Sequence, residues 1–397
     1  MAATRIKGIL VGDLVIDTYL CFKPTPEVKL DDWYLFAVLR QAVKDIDTAY
    51  AFFRREKPAL YLSTYATYIP HGIPARVAVA LGIKTLSFAN AQQFSTELTP
   101  EHLFHTKPCG GYKMEFALLP EPEEKRARAA EILGRRVAGI ADSATANQRS
   151  AYKARTDAVA DVRGAVVVFL HDFFDSAHIY RWMVFHDFWE WACTTIETLR
   201  EVGQPFFSSA SQSARGKHHR AGAASKQYPG LNIILSEVSN RQLVDAGMAC
   251  AITVYGSVAA EMAFLGVPSI SCGDNPHVSF DTFNTAASKE KYRALLSNIP
   301  NLRQDAERMK SQACAFYYMH YLNIGPDELA LRDRMIAFYL ALADVAAGRK
   351  PFSEAEMSQI FTELASSAEF RSFVTGVAGH LGKSAANMPG ASTAAPQ

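Results

Sequence analysis

The sequence lacks most of what would mark a specialised chain. It has no charge of one sign in excess: 41 Lys and Arg face 40 Asp and Glu over 397 residues, a formal net charge of +1. A general nucleic-acid or anionic-membrane binder needs a concentrated basic surface, so any phosphate site here is local. The cysteines at 21, 109, 193, 250, 272 and 314 form no CxxC pair and have no zinc-ligand spacing with the histidines. Several lie among apolar neighbours, which reads as reduced, buried thiols. A basic segment followed by an apolar one is missing at the start, so no secretory signal is visible. No apolar run reaches the ~18 residues a membrane span needs. The expectation is a cytoplasmic protein, with the inner face of the membrane open as its working place.

What is present is the composition of a globular α/β protein, 49% hydrophobic and 20% charged. Ile9–Val11 reads as a short buried parallel strand stopped by Gly12 and Asp13. Helical spacing follows over 32–55, then a strand at 59–62, a helix from Ile73 to Leu81 and a strand over 84–88. That is a βαβαβ pattern, hence a doubly wound sheet. A charged helix spans 122–137, and 139–163 reads as a linker. From 164 a second α/β series begins with the most apolar strand, 165–170, and continues through strands near 232–235, 251–254 and 267–271. Residues 301–382 read as helices and 383–397 as a disordered tail. The expected domains are therefore 1–138, 164–300 and a helical C-terminal segment, with a cleft between the first two. Ligands of open α/β sheets bind beyond the carboxyl ends of the strands, so strand ends are where chemistry is sought.

The strongest such signal is Thr253–Ser269 (TVYGSVAAEMAFLGVPS). Gly256 permits close backbone approach, Ser257 opens a helix whose free N–H groups suit a phosphate, and Glu261 lies on the same face at i+4, placed to take ribose hydroxyls. On the residues alone, a serine-capped helix with a solvated Glu261 stays open beside this reading. The segment resembles the nucleotide-sugar donor site of GT-B glycosyltransferases, where Gly-Ser/Thr, Glu and Gly-x-Pro recur in this order. Two further stretches, Phe169–Trp191 (FLHDFFDSAH, then YRWM and DFWEW) and Gly12–Leu20 (GDLVIDTYL), look like a group of capsular and lipopolysaccharide transferases, Kdo transferases among them. The resemblance implies two Rossmann-like lobes, a nucleotide-sugar donor held by Gly256, Ser257 and Glu261, and a glycan or glycolipid acceptor. It implies neither metal nor cofactor, and a CMP-activated sugar is the preferred donor.

The loop after strand 165–170 is dense in polar groups: His171, Asp172, Asp175, Ser176 and His178. They are candidates for donor or acceptor hydroxyls, although loop polarity alone explains each as well. Two histidines and two carboxylates also permit a metal reading, which the resemblance disfavours. Transfer with inversion needs a base for the acceptor hydroxyl. Asp13, directly after the first strand, ranks first; Asp17 follows, with a cap as its competing reading; His71 is weaker. Trp33, Tyr61, Tyr65 and Tyr68 offer a sugar-stacking wall, though such aromatics more often serve a core.

One segment departs from the family. The related transferases carry Lys-Pro-His-Pro after the strand that is here Gln204–Phe207, where the cations neutralise the departing phosphate. This chain has Ser208–Ser225 (SSASQSARGKHHRAGAAS) instead. Ala210–Ser213 written GCA TCC CAA TCA gives His-Pro-Asn one base later. His218–Ala223 shifted likewise gives Ile-Ile-Glu-Gln-Glu, so a displaced reading frame is one explanation. If the stretch is genuine, Lys217, His218, His219 and Arg220 are the substitute cationic patch. Two other readings stay open: a sugar-nucleotide epimerase or hydrolase of the same two-lobed shape, and a non-catalytic transferase-like assembly protein.

Overall fold

The computed structural model describes residues 1–386 apart from 24, 89–94, 141–158, 211–223, 235–237, 303 and 347. Most of the linker, the cationic patch at 217–220 and the tail beyond 386 therefore lie outside the described residues.

The chain opens with a hairpin, β1 (Arg5–Ile6) against β2 (Ile9–Leu10), antiparallel. Lys7 and Gly8 both take positive φ, +51° and +84°, which is what a two-residue primed turn requires. The expectation that Ile9–Val11 heads a parallel sheet is thus not met. The run is too short to reach one, and from Gly12 the apolar residues recur at helical spacing. They form α1 (Gly12–Phe22), buried from Gly12 to Leu20. Helix α2 (Trp33–Glu56) buries Leu35, Val38, Ala42, Ile46, Ala49 and Phe53, one stripe of a 3.6-residue repeat. Asp32 caps it by accepting from the Tyr34 N–H at 2.9 Å. With α3 (Tyr68–Ala80), these helices enclose one core. A small sheet pairs β3 (Leu60–Ser63) parallel with β4 (Lys84–Phe88), and β5 (Ser95–Leu98) antiparallel on β4's other edge.

The second region is built on six parallel strands, all pairings in register: β6 (Val166–Leu170), β7 (Phe206–Ala210), β8 (Ile233–Ile234), β9 (Cys250–Ile252), β10 (Ser269–Cys272) and β11 (Thr285–Ala286). Their order is β8-β7-β6-β9-β10-β11. The β6 and β9 strands are buried on both faces, as their Val, Ile and Ala runs require. Helix α6 (Phe188–Glu201) returns from β6, capped by Asp187, which accepts from the Glu190 N–H at 2.8 Å.

Helices α4 (Tyr112–Ala117) and α5 (Pro122–Val137) do not join the core of α1–α3. They share one with α8 (Val258–Phe264) and α10 (Ala306–Tyr317). Between these last two the chain forms α9 (Lys289–Leu296), and after β8 the short α7 (Asn240–Asp245), whose Ser239 and Gln242 complete a capping box. Helix α10 runs on as a π-turn, Tyr318–Leu322. The C-terminal segment is helical: α11 (Pro326–Ala346), α12 (Glu354–Ala365) and α13 (Ala368–Ala386). Among the described residues, no helix is long and apolar enough to cross a membrane.

The core beneath the parallel sheet contains a polar knot. Trp191 Nε1 donates to the Tyr292 hydroxyl at 2.7 Å, and Thr195 Oγ1 lies 2.8 Å from the same oxygen, all fully buried. Tyr292→Phe leaves the indole N–H without its acceptor, at a cost of about 1–3 kcal/mol. Urea unfolding is expected to show a lower midpoint at unchanged m-value; an unchanged midpoint would contradict the bond.

Candidate functional site

The order of the large sheet locates a crevice. The chain enters at its middle with β6, proceeds outward through β7 and β8, then returns to lay β9 on the other side of β6. Between β6 and β9 the connections leave in opposite directions, and ligands of such sheets sit in the gap so opened. His171, the first residue after β6, spans that gap. Its Nε2 accepts the Tyr255 N–H at 3.3 Å and lies 3.3 Å from Thr253 Oγ1. Because Nε2 accepts, the ring proton belongs on Nδ1. The imidazole stacks on Phe188 at 4.7 Å. Thr253 Oγ1 in turn accepts the Gly256 N–H at 3.1 Å. A Cβ at Gly256 would fall 2.6 Å from that oxygen and 3.2 Å from Val258 Cγ1, so only glycine fits the turn. Tyr180 packs edge-on to Tyr255 at 4.8 Å. Asp274, just beyond β10, accepts the Arg181 N–H at 3.1 Å. Loops from three successive strand ends are thus knitted together.

Ser257 and Glu261 differ from expectation. Ser257 makes no side-chain cap. Glu261 is neither solvated nor turned to the crevice: it is 1% exposed, accepts from Asn240 Nδ2 at 2.8 Å and lies 3.8 Å from Arg136 Nη1. Arg136, equally buried, lies over the Tyr317 and Tyr321 rings at 4.8 and 5.1 Å and donates to the Tyr317 hydroxyl at 3.0 Å. The i+4 face that seemed aimed at a ribose faces α5 and α10, because those helices pack on α8.

Asp13 also needs correction. It does not sit in a loop after a strand but in the first turn of α1, where Arg76 of α3 grips both its oxygens at 2.6 Å. Arg76 gives a further bond to the Leu10 carbonyl at 2.8 Å. Both oxygens of Asp13 are thus committed to a buried guanidinium, which anchors α1 on α3. One turn later, Asp17 is fully buried and faces the second region. It accepts from the backbone N–H of His178 at 3.2 Å, and its Oδ1 lies 2.7 Å from His178 Nδ1. Two residues expected in separate roles, base and donor contact, form one carboxylate–imidazole pair joining the first region to the loop after β6. Beside an ionised Asp17, Nδ1 is the donor, which leaves the lone pair of the neutral ring on Nε2. Among the described residues nothing hydrogen-bonds to it.

The pair's electrostatics follow from that geometry. Burial opposes a charge on His178, but the Asp17 carboxylate and its hydrogen bond, with Asp13 and Asp187 nearby, outweigh it and raise the imidazole above its ordinary value. Asp17 is raised as well, by burial first, with His178 offsetting part and Asp13 adding to it.

No family model matches this chain, and no curated protein matches it. Among solved structures it is similar to the UDP-GlcNAc 2-epimerase of Methanocaldococcus jannaschii in complex with UDP-GlcNAc and UDP, at 13% identity and a TM-score of 0.31, over 67% of this chain and 75% of that one. It is also similar to S. aureus MnaA with UDP, at 12% identity and a TM-score of 0.32, over 77% and 82%.

The other loop residues serve at the rim. Asp172 closes a turn by accepting the Phe174 N–H at 3.2 Å. Asp175 accepts the Ser176 N–H at 2.8 Å and faces the Tyr68 hydroxyl at 3.4 Å. Tyr68 holds a left-handed φ of +59°, unusual for an aromatic residue. Tyr65 lies between Tyr68 and His105, stacked at 6.2 and 4.3 Å. Of the expected aromatic wall, only Tyr65 and Tyr68 are here. Trp33 is 75% exposed on α2, Tyr61 packs on Phe53 at 5.3 Å, and His71 is an exposed residue of α3. Arg76, Tyr180 and Asp274 were missed. Gly273-Asp274 directly after a strand was a usable signal for the last, whereas Arg76 is hidden in an apolar helix. Among the described residues, no group of three His, Cys, Asp or Glu is arranged to hold a metal.

Because the folded chain holds the His178 proton more tightly than the unfolded one, the pair's stabilisation is complete below the ordinary imidazole value of 6.5. It is lost as pH rises through the higher folded value. The stability gap between wild type and His178→Asn, from urea unfolding, is expected to shrink as pH is raised above the ordinary imidazole value of 6.5. A gap that is flat or widens over that range contradicts the pairing.

Proposed function

We propose that the chain is a nucleotide-sugar-dependent enzyme of the GT-B type, a glycosyltransferase acting on a capsular or lipopolysaccharide glycan. On this reading the α1–α3 region of 1–138 receives the acceptor and 164–300 the donor, with 109–137 bracing the donor side. The observation that carries it is the Asp17–His178 pair beside the β6–β9 crevice: an imidazole oriented through Nδ1 by a buried carboxylate, with Nε2 free of protein partners among the described residues. That is the arrangement a general base needs. The acceptor O–H gives its proton to Nε2 as its oxygen bonds the anomeric carbon. The bond from that carbon to the donor phosphate oxygen breaks, and the nucleotide leaves with the electron pair. Asp17 stabilises the imidazolium that forms, as a buried partner carboxylate does for other catalytic histidines.

Donor contacts are assigned to the crevice loops. His171 holds the Thr253–Gly256 turn in shape, and the Ser257 and Val258 N–H groups at the start of α8 are assigned to the donor phosphate. Asp175 and Ser176, with Tyr65 and Tyr68, are assigned to sugar hydroxyls and a ring face. Glu261 supports this surface from behind through Asn240 and Arg136. A CMP-activated sugar is the first donor to test, on the strength of the resemblance at Phe169–Trp191. The same pair suits removal of a proton from a sugar carbon, the chemistry of an epimerase, which needs no acceptor.

Thermal unfolding with CMP, UDP, GDP and TDP tests the donor site. A ligand at a hundredfold excess over its Kd stabilises by about 2.7 kcal/mol, and one nucleotide class is expected to raise Tm. His178→Ala is expected to keep that shift while lowering turnover of the matching nucleotide sugar by roughly 100-fold or more. Product formed only with a glycan acceptor supports transfer, and an isomerised donor without acceptor supports epimerisation. Binding with no turnover at all means a non-catalytic relative, and no shift with any nucleotide overturns the donor site.

A further inference from the structure

Helix α1 carries two buried carboxylates four residues apart, Asp13 at 5% exposure and Asp17 at 0%. Side chains at i and i+4 share one face of a helix, so like charges there repel, and more strongly away from water. Two such carboxyls hold a proton between them unless a cation is supplied. The cation comes from α3. Arg76 Nη1 and Nη2 each donate to one oxygen of Asp13 at 2.6 Å, and both side chains are buried. Among the described residues Arg76 makes no hydrogen bond to Asp17, which is held by His178 instead. Asp175 and Asp187 of the loop after β6, and the Tyr65 and Tyr255 hydroxyls, also lie within electrostatic reach of the Asp17–His178 pair. Each of these carries negative charge or gains it on losing a proton, and none supplies a cation.

The charge state of Asp17 decides the tautomer of His178. An ionised Asp17 accepts from Nδ1 and leaves the lone pair on Nε2. A protonated Asp17 donates its O–H to Nδ1 instead, which puts the proton of the neutral ring on Nε2, where it cannot accept another. Asp13 presses toward the second form, since its charge opposes ionisation of Asp17. We propose that Arg76 is a positioning residue of the reaction: by cancelling the charge of Asp13 it keeps Asp17 ionised and the His178 proton on Nδ1. The proposal rests on His178 being the base. It gives the Arg76–Asp13 pair an electrostatic role that anchoring α1 on α3 does not by itself require.

The test is imidazole NMR of His178 in the full-length chain, following with pH the appearance of the neutral ring that has its proton on Nδ1. Arg76→Gln removes a cation and is expected to move that appearance up by about one pH unit or more. Asp13→Asn leaves the guanidinium without its anion and is expected to move it down. The double variant removes both charges and is expected to return to within about half a unit of wild type. A merely structural anchor is lost in all three variants and would disturb them alike. The helices stay joined without the ion pair, through the Ile69 N–H on Thr18 Oγ1 at 2.9 Å and the apolar core of α1–α3. If Arg76→Gln does not fold, Asp13→Asn decides. No displacement in either single variant, displacement of both in one direction, or a double variant displaced as far as Arg76→Gln overturns the proposal. Where turnover is measured, the acid limb of its pH profile is expected to move in step with the ring. Because the ring is read directly, an absence of turnover in wild type removes the proposed function and leaves the charge role of Arg76 standing.

Discussion

Burying Asp17 is the constraint on which the site depends. A carboxylate with no exposed surface is costly unless a partner meets it, and its partner lies 161 residues later, in the loop after β6. The demand is met from two sides at once, by the ring Nδ1 and the backbone N–H of His178. To accept both, α1 must lie against the carboxyl end of the large sheet. Asp13, one turn earlier, makes that position firm. Arg76 ties it to α3 and to the hairpin carbonyl of Leu10, so α1 cannot roll without exposing a second buried charge. The imidazole is thus aimed by the same interactions that join the two regions.

A second buried pair does comparable work farther from the crevice. Glu261 and Arg136 bring α8, which begins at the donor-side turn, together with α5, which belongs to the earlier part of the chain. Seen this way, the segment 109–137 is a brace on the second region. The two pairs differ in what they leave open. Arg136 and Glu261 are surrounded by Tyr317, Tyr321 and Asn240, whereas His178 keeps one nitrogen free of the protein among the described residues. That asymmetry is why the proposed chemistry is placed on Asp17 and His178 rather than on Glu261 and Arg136.

How far the sequence could be read is clear from particular residues. The middle of the large sheet is legible because β6, β8 and β9 are continuous apolar runs, whereas Thr285–Ala286 of β11 carries no such signal; β4 and α5 begin and end where periodicity puts them. The opening strand was misread: three apolar residues before a glycine look alike in a hairpin and in a buried strand. The pairing that decides between them depends on Lys7 and Gly8, where only the glycine announces a turn. Asp17 and His178 were both recognised as candidates, but nothing in a linear pattern joins positions 17 and 178. Glu261 was read by helical spacing, which gives its face on the helix and not what packs against that face. Arg76 was invisible because a lone arginine among Ile, Ala and Val reads as a solvated side chain.

The most direct test of the account is an NMR titration of the His178 imidazole in wild type and in Asp17→Asn. The account predicts a proton on Nδ1, a lone pair on Nε2, and a midpoint above the ordinary 6.5 that falls when the carboxylate is removed. A midpoint at or below 6.5, or one indifferent to Asp17→Asn, would contradict it and remove the proposed base from the crevice.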